Sequence, residues 1–534
     1  MLLLIPILLY AVSALAIAVW HFVRPGFGVP WLAAVAVTLA GWGLMIYLRL
    51  RVPVELAGQM WLGLGDAGQY PYFVLDVISW PYAFALCGLA LAIVQTASAR
   101  LAHKSNPLAW AASLALTSAG LVAVTAANPL TLAVSWTMLD VTEVVVLLAT
   151  VRKLNLSTRV VVAFSARVVG TMVLVWAMLV ARSQGIDLNF TQIPADISLV
   201  LILAAGLRLG VLPLHLTLRE EIPMRRGLGV MLRSAAPASS LALLARLPAG
   251  GSDPTWTPVF LTLATLAVLY TAVVWLFSND PLAARPYWLI AVSGLAVVSV
   301  LRGQPAASIA WGLAMLLPGG LLFLYSARDR GTLFFPLLGA LGLSALPFTP
   351  ASAGWLGLWA QPFDPASIFF LLAHVALLAG YLRHVITPGE SLRGLERWVQ
   401  GIYPFGLLML VVTQWIAAWF SLPQSFALIA WVGVATTLLA LAALAVSARL
   451  MRPSATHADE EQAGWVSIMG QRVGRWMGAI FRLDWVYRLG MYLYGGLRAV
   501  VSFLITILEG DGGVLWAMVL LALLISLLRI GGAP

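Results

Sequence analysis

The chain has 534 residues, 61% of them hydrophobic and only 10% charged, with a formal net charge of +10. Soluble domains are about 25% charged, so this composition excludes a soluble globular enzyme and makes lipid the solvent. The basic excess is scattered between apolar runs rather than gathered into a domain, which excludes nucleic acid as a partner and reads as topology signals and contacts to anionic lipid.

Apolar runs of the length that crosses a bilayer, about 20 residues, lie near 2–20, 28–48, 71–97, 108–127, 129–150, 160–181, 196–216, 229–247, 257–277, 286–301, 305–325, 333–359, 366–382, 403–420, 424–448 and 512–528. They predict an all-α polytopic membrane protein with about 15–16 transmembrane helices. The first run lacks a basic leader and a small-residue cleavage site, so it reads as a span and not a signal peptide. The segment 476–508 carries Arg482, Asp484, Arg488 and Arg498 among aromatics, and reads either as an amphipathic surface helix or as a late crossing. The expected organisation is N-terminal helices at 1–70, third and fourth spans at 71–127, a core with a broken span at 128–250, a second core at 251–386, C-terminal spans at 387–450, and a polar linker, amphipathic segment and last helix at 451–534. Arg and Lys concentrate after the odd-numbered spans, from Arg24 and Lys104 to Arg285 and Arg449, while loops after even-numbered spans hold only Arg49, Arg51, Arg182 and Arg302. That asymmetry places the N-terminus outside, in a cell (inner) membrane.

A charge at bilayer depth costs about 3 kcal/mol or more, which makes each one a functional candidate. Asp76 falls early in the third span, Asp140 and Glu143 in the fifth, Arg167 in the sixth, Arg208 in the seventh and Arg233 in the eighth. Asp140 and Glu143 are three residues apart and share a helix face, within reach of Arg167 on a neighbouring helix. Two readings stay open: ion pairs that fix packing, and groups that carry ions. In the seventh span, LILAAGLRLGVLPLHLTLREEIP, Gly206, Gly210 and Pro213 crowd Arg208, with His215 next in line. Pro213 removes a backbone hydrogen bond and predicts a break near 209–213, the kind of discontinuity found at transporter ion sites.

The second half is poorer in charge. His374 is its single titratable group placed deep in a span, as a packing residue or a relay. Pro318 in MLLPGGLLFL and Pro347 in ALPFTPASAGW predict two more breaks, without a charge beside them. The lone Cys87 excludes a disulfide framework and cysteine metal sites, and no nucleotide loop or nucleophile constellation is present. No metal and no cofactor is expected in this chain, and it is not expected to be a catalyst by itself.

The order of several motifs resembles that of the antiporter-like membrane subunits shared by respiratory complex I, membrane-bound hydrogenases and multi-subunit Na+/H+ antiporters. The motifs are FVLDVIS at 73–79, NPLTLAVSW at 128–136, VAFSARVVG at 162–170, LRLGVLPLHLTL at 207–218, LLFLYSA at 321–327 and ALPFTPASAGW at 345–355. The resemblance covers about 70–360 and implies two inverted five-helix repeats, each with a broken helix. It implies proton or Na+ translocation in a redox-driven complex with other membrane subunits, the redox cofactors and any oxidoreductase activity lying in those partners. The chain departs from the pattern at functional positions. Thr137 stands where the family has its fifth-helix glutamate, with Asp140 or Glu143 one turn along. Arg208 stands for a lysine, Arg233 for a histidine, and Gly319 for the second-half lysine. Arginine does not give up its proton, so a second reading is a non-conducting scaffold subunit of such a complex or of a multi-subunit antiporter.

Overall fold

The structure, a computed structural model, describes residues 1–24, 28–58, 70–100, 107–150, 154–190, 193–215, 226–249, 253–329, 331–359, 365–387, 389–426 and 431–450, with isolated residues beyond 491. The chain divides into two compact units, Met1–Pro453 and Ser454–Pro534. The expected amphipathic segment 476–508 and last helix 512–528 lie almost wholly outside the described residues.

The first unit is helical. Its helices are α1 (Leu4–Val23), α2 (Gly28–Arg49), α3 (Ser79–Thr96), α4 (Pro107–Thr125), α5 (Pro129–Thr150), α6 (Leu154–Ser183), α7 (Ala195–Leu209), α8 (Arg226–Ala245), α9 (Thr257–Phe277), α10 (Arg285–Leu301), α11 (Pro305–Leu324), α12 (Phe334–Leu343), α13 (Trp355–Leu358), α14 (Ala366–Ile386), α15 (Arg397–Ser421) and α16 (Trp431–Leu450). Eleven of the described helices are long and apolar enough to cross a membrane; α10 and α12 are apolar but shorter than a full span. Two short strands, β1 (Val54–Ala57) and β2 (Tyr72–Leu75), pair antiparallel with Val54 opposite Leu75. This hairpin takes the residues where the third span was expected to begin. Asp76 follows it, and its carboxylate accepts from the Ile78 and Ser79 amides at the start of α3.

Helices α3, α8 and α11 form the centre, with α8 and α11 buried along their whole apolar windows, whereas α1 and α6 are mostly exposed. Lipid tails give helices no hydrophobic reason to associate, so close packing must do it. The central helices supply small residues for that, such as Ala235, Ala236, Ala238, Ser239 and Ser240 on α8, all buried. Consecutive helices pack from α4 to α8 and again from α9 to α12, and each set closes in the same way: α4 lies on α8, and α9 lies on α14. The broken elements α7 and α12 occupy equivalent places five helices apart, an odd offset that reverses the sense of the second in an up-and-down series.

The two breaks are built differently. Helix α7 stops at Leu209 because Gly210 adopts the left-handed conformation (φ 76°), and the Val211 and Leu212 amides turn back onto the Gly206 carbonyl. Helix α12 stops at Leu343, and the chain passes Ala345 (φ 58°) and Phe348 (φ 66°) before a 3₁₀ turn at Pro350–Gly354 and the short α13. Left-handed backbone at non-glycine residues persists only where surroundings enforce it. Here Ser352 donates to the Ser425 carbonyl, Ser425 donates to the Pro350 carbonyl, and Thr437 donates to the Ser344 carbonyl.

The break expected at Pro318 is absent, since α11 runs through it unbroken. The Trp288 indole packs against Gly319 and donates to the Met315 carbonyl (3.3 Å), supporting the backbone around the bond that the proline removes.

Candidate functional site

The fifth helix decides the site through its period. Trp136, Leu139, Asp140, Glu143 and Leu147 are buried, whereas Val134, Met138, Val141, Val145 and Leu148 are exposed. The inward set recurs at helical spacing, so the two carboxylates enter the protein on the same stripe as a tryptophan. Thr137 is exposed on the other face and folds its hydroxyl onto the Ala133 carbonyl. A carboxylate at 137 would therefore face outward, and Asp140 is the inward position.

Arg208 reaches this stripe from the end of α7, two residues before the break at Gly210. It makes two parallel bonds to Asp140, from Nη1 to Oδ2 (2.6 Å) and from Nη2 to Oδ1 (2.7 Å). Nη1 also donates to the Thr171 hydroxyl (3.0 Å) and to the Arg167 carbonyl (3.2 Å), and the guanidinium lies 4.4 Å from the centre of the Trp136 ring. The side chain runs along Gly170, where a Cβ would stand 2.6 Å from Arg208 Cγ. A residue with any side chain at 170 would move the arginine. The forked geometry is one that lysine cannot reproduce.

Arg167, on α6, donates to Oε2 of Glu143 and stands 3.7 Å from Oδ1 of Asp140. It thus bridges the two carboxylates but is bonded to one. Glu143 is buried, and its Oε1 has no hydrogen-bond partner. A fully paired ion network leaves no such atom.

Asp140, Glu143, Arg167, Arg208 and Arg233 line one cavity, together with Val144, Leu147, Phe164, Leu209, Leu232, Pro237, Leu289, Ser293 and Met315. It leaves about 40 Å³ for the centres of water molecules, against about 10–15 Å³ needed for one water. A few waters therefore fit beside the charged groups. Arg233 lies on α8, buried, with Nη1 on the Gly229 carbonyl (3.2 Å). Arg285, expected in a loop, is instead buried at the first turn of α10, 5.4 Å from the Phe323 ring and against Gly229.

Three expectations separate from this cluster. His215 does not line the cavity; its Nδ1 sits 2.9 Å from the Pro213 carbonyl just past the α7 break. His374 lies in the second half on α14, between the Trp311 and Trp355 rings. Asp76 is not a charge inside a span. It precedes α3 and pairs with Arg246, past the end of α8, at 2.7 Å and 3.2 Å. Sequence reasoning missed Trp136 and Thr171, though Trp136 stands one helical turn before Asp140 and could have been placed on its face. Arg285 gave no such signal, because its position beside Pro286 reads as a helix start.

Among the described residues no cluster of three or more His, Cys, Asp or Glu side chains forms a metal site. No protein-family model and no curated protein matches the chain. Solved structures do match in fold. The chain is similar to one in the Mrp complex from Dietzia sp. DQ12-45-1b, at 15% identity and TM-score 0.66, covering 96% of this chain but only 63% of that one. It is similar to a chain of the membrane-bound sulfane sulfur reductase, an archaeal respiratory membrane complex, at 13% identity and TM-score 0.69, covering 98% and 99%. A third is in respiratory complex I from Thermus thermophilus, at 18% identity and TM-score 0.60, covering 83% and 100%. At these identities the likeness establishes a common fold, that of a polytopic helical membrane bundle.

Proposed function

We propose that this chain is a membrane-arm subunit of a redox-driven ion-translocating complex of the NADH:quinone oxidoreductase kind, and that Glu143 is the group that takes up and releases the proton or Na+. It would sit in a cell (inner) membrane beside other membrane subunits, N-terminus outside, with the redox cofactors in those partners. The observation that carries this reading is the state of Glu143: buried, held by one arginine through Oε2, with Oε1 unpartnered in a wall of the cavity.

The arginines set the division of labour. Arginine stays protonated, so any proton must travel on a carboxylate or on water. Asp140 is held in a fork by Arg208, with Arg167 3.7 Å away. Glu143 is bonded by Arg167 alone. A swing of Arg167 from Glu143 to Asp140 closes a gap of 3.7 Å, leaves Glu143 without its counter-charge and lets it take a cation from the cavity. The return swing expels that cation. The fold supports the reading because the solved structures that share it belong to the Mrp complex, the sulfane sulfur reductase and respiratory complex I.

A second reading, a non-conducting scaffold, draws on Arg208, whose two terminal nitrogens are both committed to Asp140. Purification of the full chain from mild detergent, identification of the co-purifying chains, and flux assays on the reconstituted assembly separate the two. Redox partners together with a flux that falls roughly 100-fold in Glu143→Gln, the scale of losing one positioned proton-transfer group, support translocation. Unchanged flux in a correctly assembled Glu143→Gln complex leaves the scaffold.

A further inference from the structure

Arg208 is gripped at its stem and its tip but not at its root. The stem lies along Gly170, Nη1 and Nη2 make the Asp140 fork, and Nη1 adds the Thr171 hydroxyl and the Arg167 carbonyl. Nε is buried and has no hydrogen-bond partner. No bond at the root of the guanidinium therefore fixes its plane, and a fork needs that plane. Both nitrogens reach both carboxylate oxygens only while the two flat groups are held nearly in one plane. The Trp136 ring lies against the guanidinium, 4.4 Å from Cζ to the ring centre. A ring on that side attracts the cation and blocks its tilt.

The ring is itself held from a third helix. Trp136, on α5, is fully buried, and its Nε1 donates to the hydroxyl of Ser239 on α8 (2.8 Å). Ser239 in turn donates to the Ala236 carbonyl (2.8 Å). An indole nitrogen can only donate, and a serine hydroxyl has one proton to give, so the bonds run from Trp136 to Ser239 to Ala236 and cannot reverse. Nothing in that chain ionises, which makes it a bracket and not a path for a proton. Without the bracket the indole is free to turn about its Cβ–Cγ bond, a torsion with broad wells. Pro237, next to Ala236, lies in the wall of the cavity, so the bracket is anchored where α8 meets the site.

We propose that Trp136 and Ser239 are positioning residues that keep Asp140 out of the exchange. Ser239 sets the indole, the indole sets the plane of Arg208, and that plane keeps both oxygens of Asp140 occupied. A tilted guanidinium leaves one nitrogen on Asp140 and opens its other oxygen. Asp140 then has what Glu143 has in the structure, one bonded oxygen and one unpartnered oxygen at the same cavity. The assignment of exchange to Glu143 rests on the translocation reading given above; the control of the Arg208 plane does not.

Nitrogen magnetic resonance of the arginine side chains in the purified full chain reads that plane, because a forked guanidinium gives separate terminal-nitrogen signals and a turning one merges them. The Arg208 pair is identified by its loss in Arg208→Lys. It is expected to stay resolved in the native chain and in Ser239→Thr, which keeps the hydroxyl. In Ser239→Ala and in Trp136→Phe it is expected to turn roughly ten-fold faster, the scale of one lost hydrogen bond. Combining these two substitutions is expected to add little to either, since both remove the same bond. Trp80→Phe is the control, because its indole is equally buried but bonded to the Met45 carbonyl. An Arg208 pair that stays as slow in Ser239→Ala and Trp136→Phe as in the native chain, or that speeds up equally in Trp80→Phe, overturns the proposal. In the reconstituted complex, an infrared carboxyl band that shifts on isotope labelling of aspartate is expected on turnover of Ser239→Ala and not of the native chain. Its absence while Arg208 turns freely overturns the role in exchange. A faster Arg208 in a complex whose flux ignores Glu143→Gln upholds the positioning and removes the translocation reading alone.

Discussion

Arg208 and Asp140 are each about 2% exposed, and their bond is two-pronged. Breaking such a buried pair from one side typically costs 3–5 kcal/mol, because the remaining charge is stranded, whereas removing both charges is often neutral. Arg208→Gln is therefore expected to lower the thermal midpoint in detergent sharply, and Arg208→Gln with Asp140→Asn to recover most of the loss. Arg208→Lys is expected to fall between, since an ammonium cannot reproduce the fork or the contact with Trp136. If the single and double variants melt alike, the pair is not what holds α5 to α7. Glu143→Gln removes a carboxylate with one partner and is expected to cost less stability than Arg208→Gln while costing more flux.

Helices α5, α6 and α7 meet at this pair, and their contact depends on Gly170. A Cβ there would stand 3.1 Å from the Ala204 carbonyl as well as close to Arg208. Gly170→Val is expected to destabilise by about 1–3 kcal/mol, the usual range for overpacking, and to disturb Arg208 without removing any charge. Thermal unfolding in detergent measures the loss. The connection after α14 carries the pH-dependent element. Asp329, in the turn before α12, accepts from the Leu392 amide and the Ser391 hydroxyl, both at 2.7 Å, and these bonds hold its carboxyl below the usual carboxylate range. A lowered folded value means the contribution is present above the unfolded value of about 3.9 and is lost as pH falls through the folded one. Asp329→Asn is expected to weaken the 389–392 connection at neutral pH and to make no difference in strong acid, read by proteolysis at the connection. The stripe of α5 was legible in the sequence because spacing alone fixes a helix face. Breaks were legible only in part. Pro213 and Pro347 stand at chain breaks, but Pro318 does not: α11 continues through it, with the Trp288 indole against Gly319 and bonded to the Met315 carbonyl. Sequence shows the missing amide but not the neighbour that compensates for it.

The whole molecule distributes its polar groups unevenly. Composition declared a membrane bundle, and motif order indicated the fold that the Mrp and complex I chains share. Composition did not disclose that the second half is polar inside. Apart from Arg285, its buried groups are histidine, tyrosine and amide, and a search for charge at bilayer depth passes over Tyr381 and Gln414. The first half therefore holds its charge in an arginine-locked cluster, and the second half holds histidine, tyrosine and amide groups around a strained break. In the proposed cycle Glu143 alone among these groups exchanges its cation during turnover, while Asp140 stays fixed under Arg208. Infrared difference spectroscopy of the reconstituted complex, in the carboxyl region, tests it most directly. A carboxyl signal is expected to appear on turnover, to survive Asp140→Asn and to vanish in Glu143→Gln. A signal that persists unchanged in Glu143→Gln would contradict it.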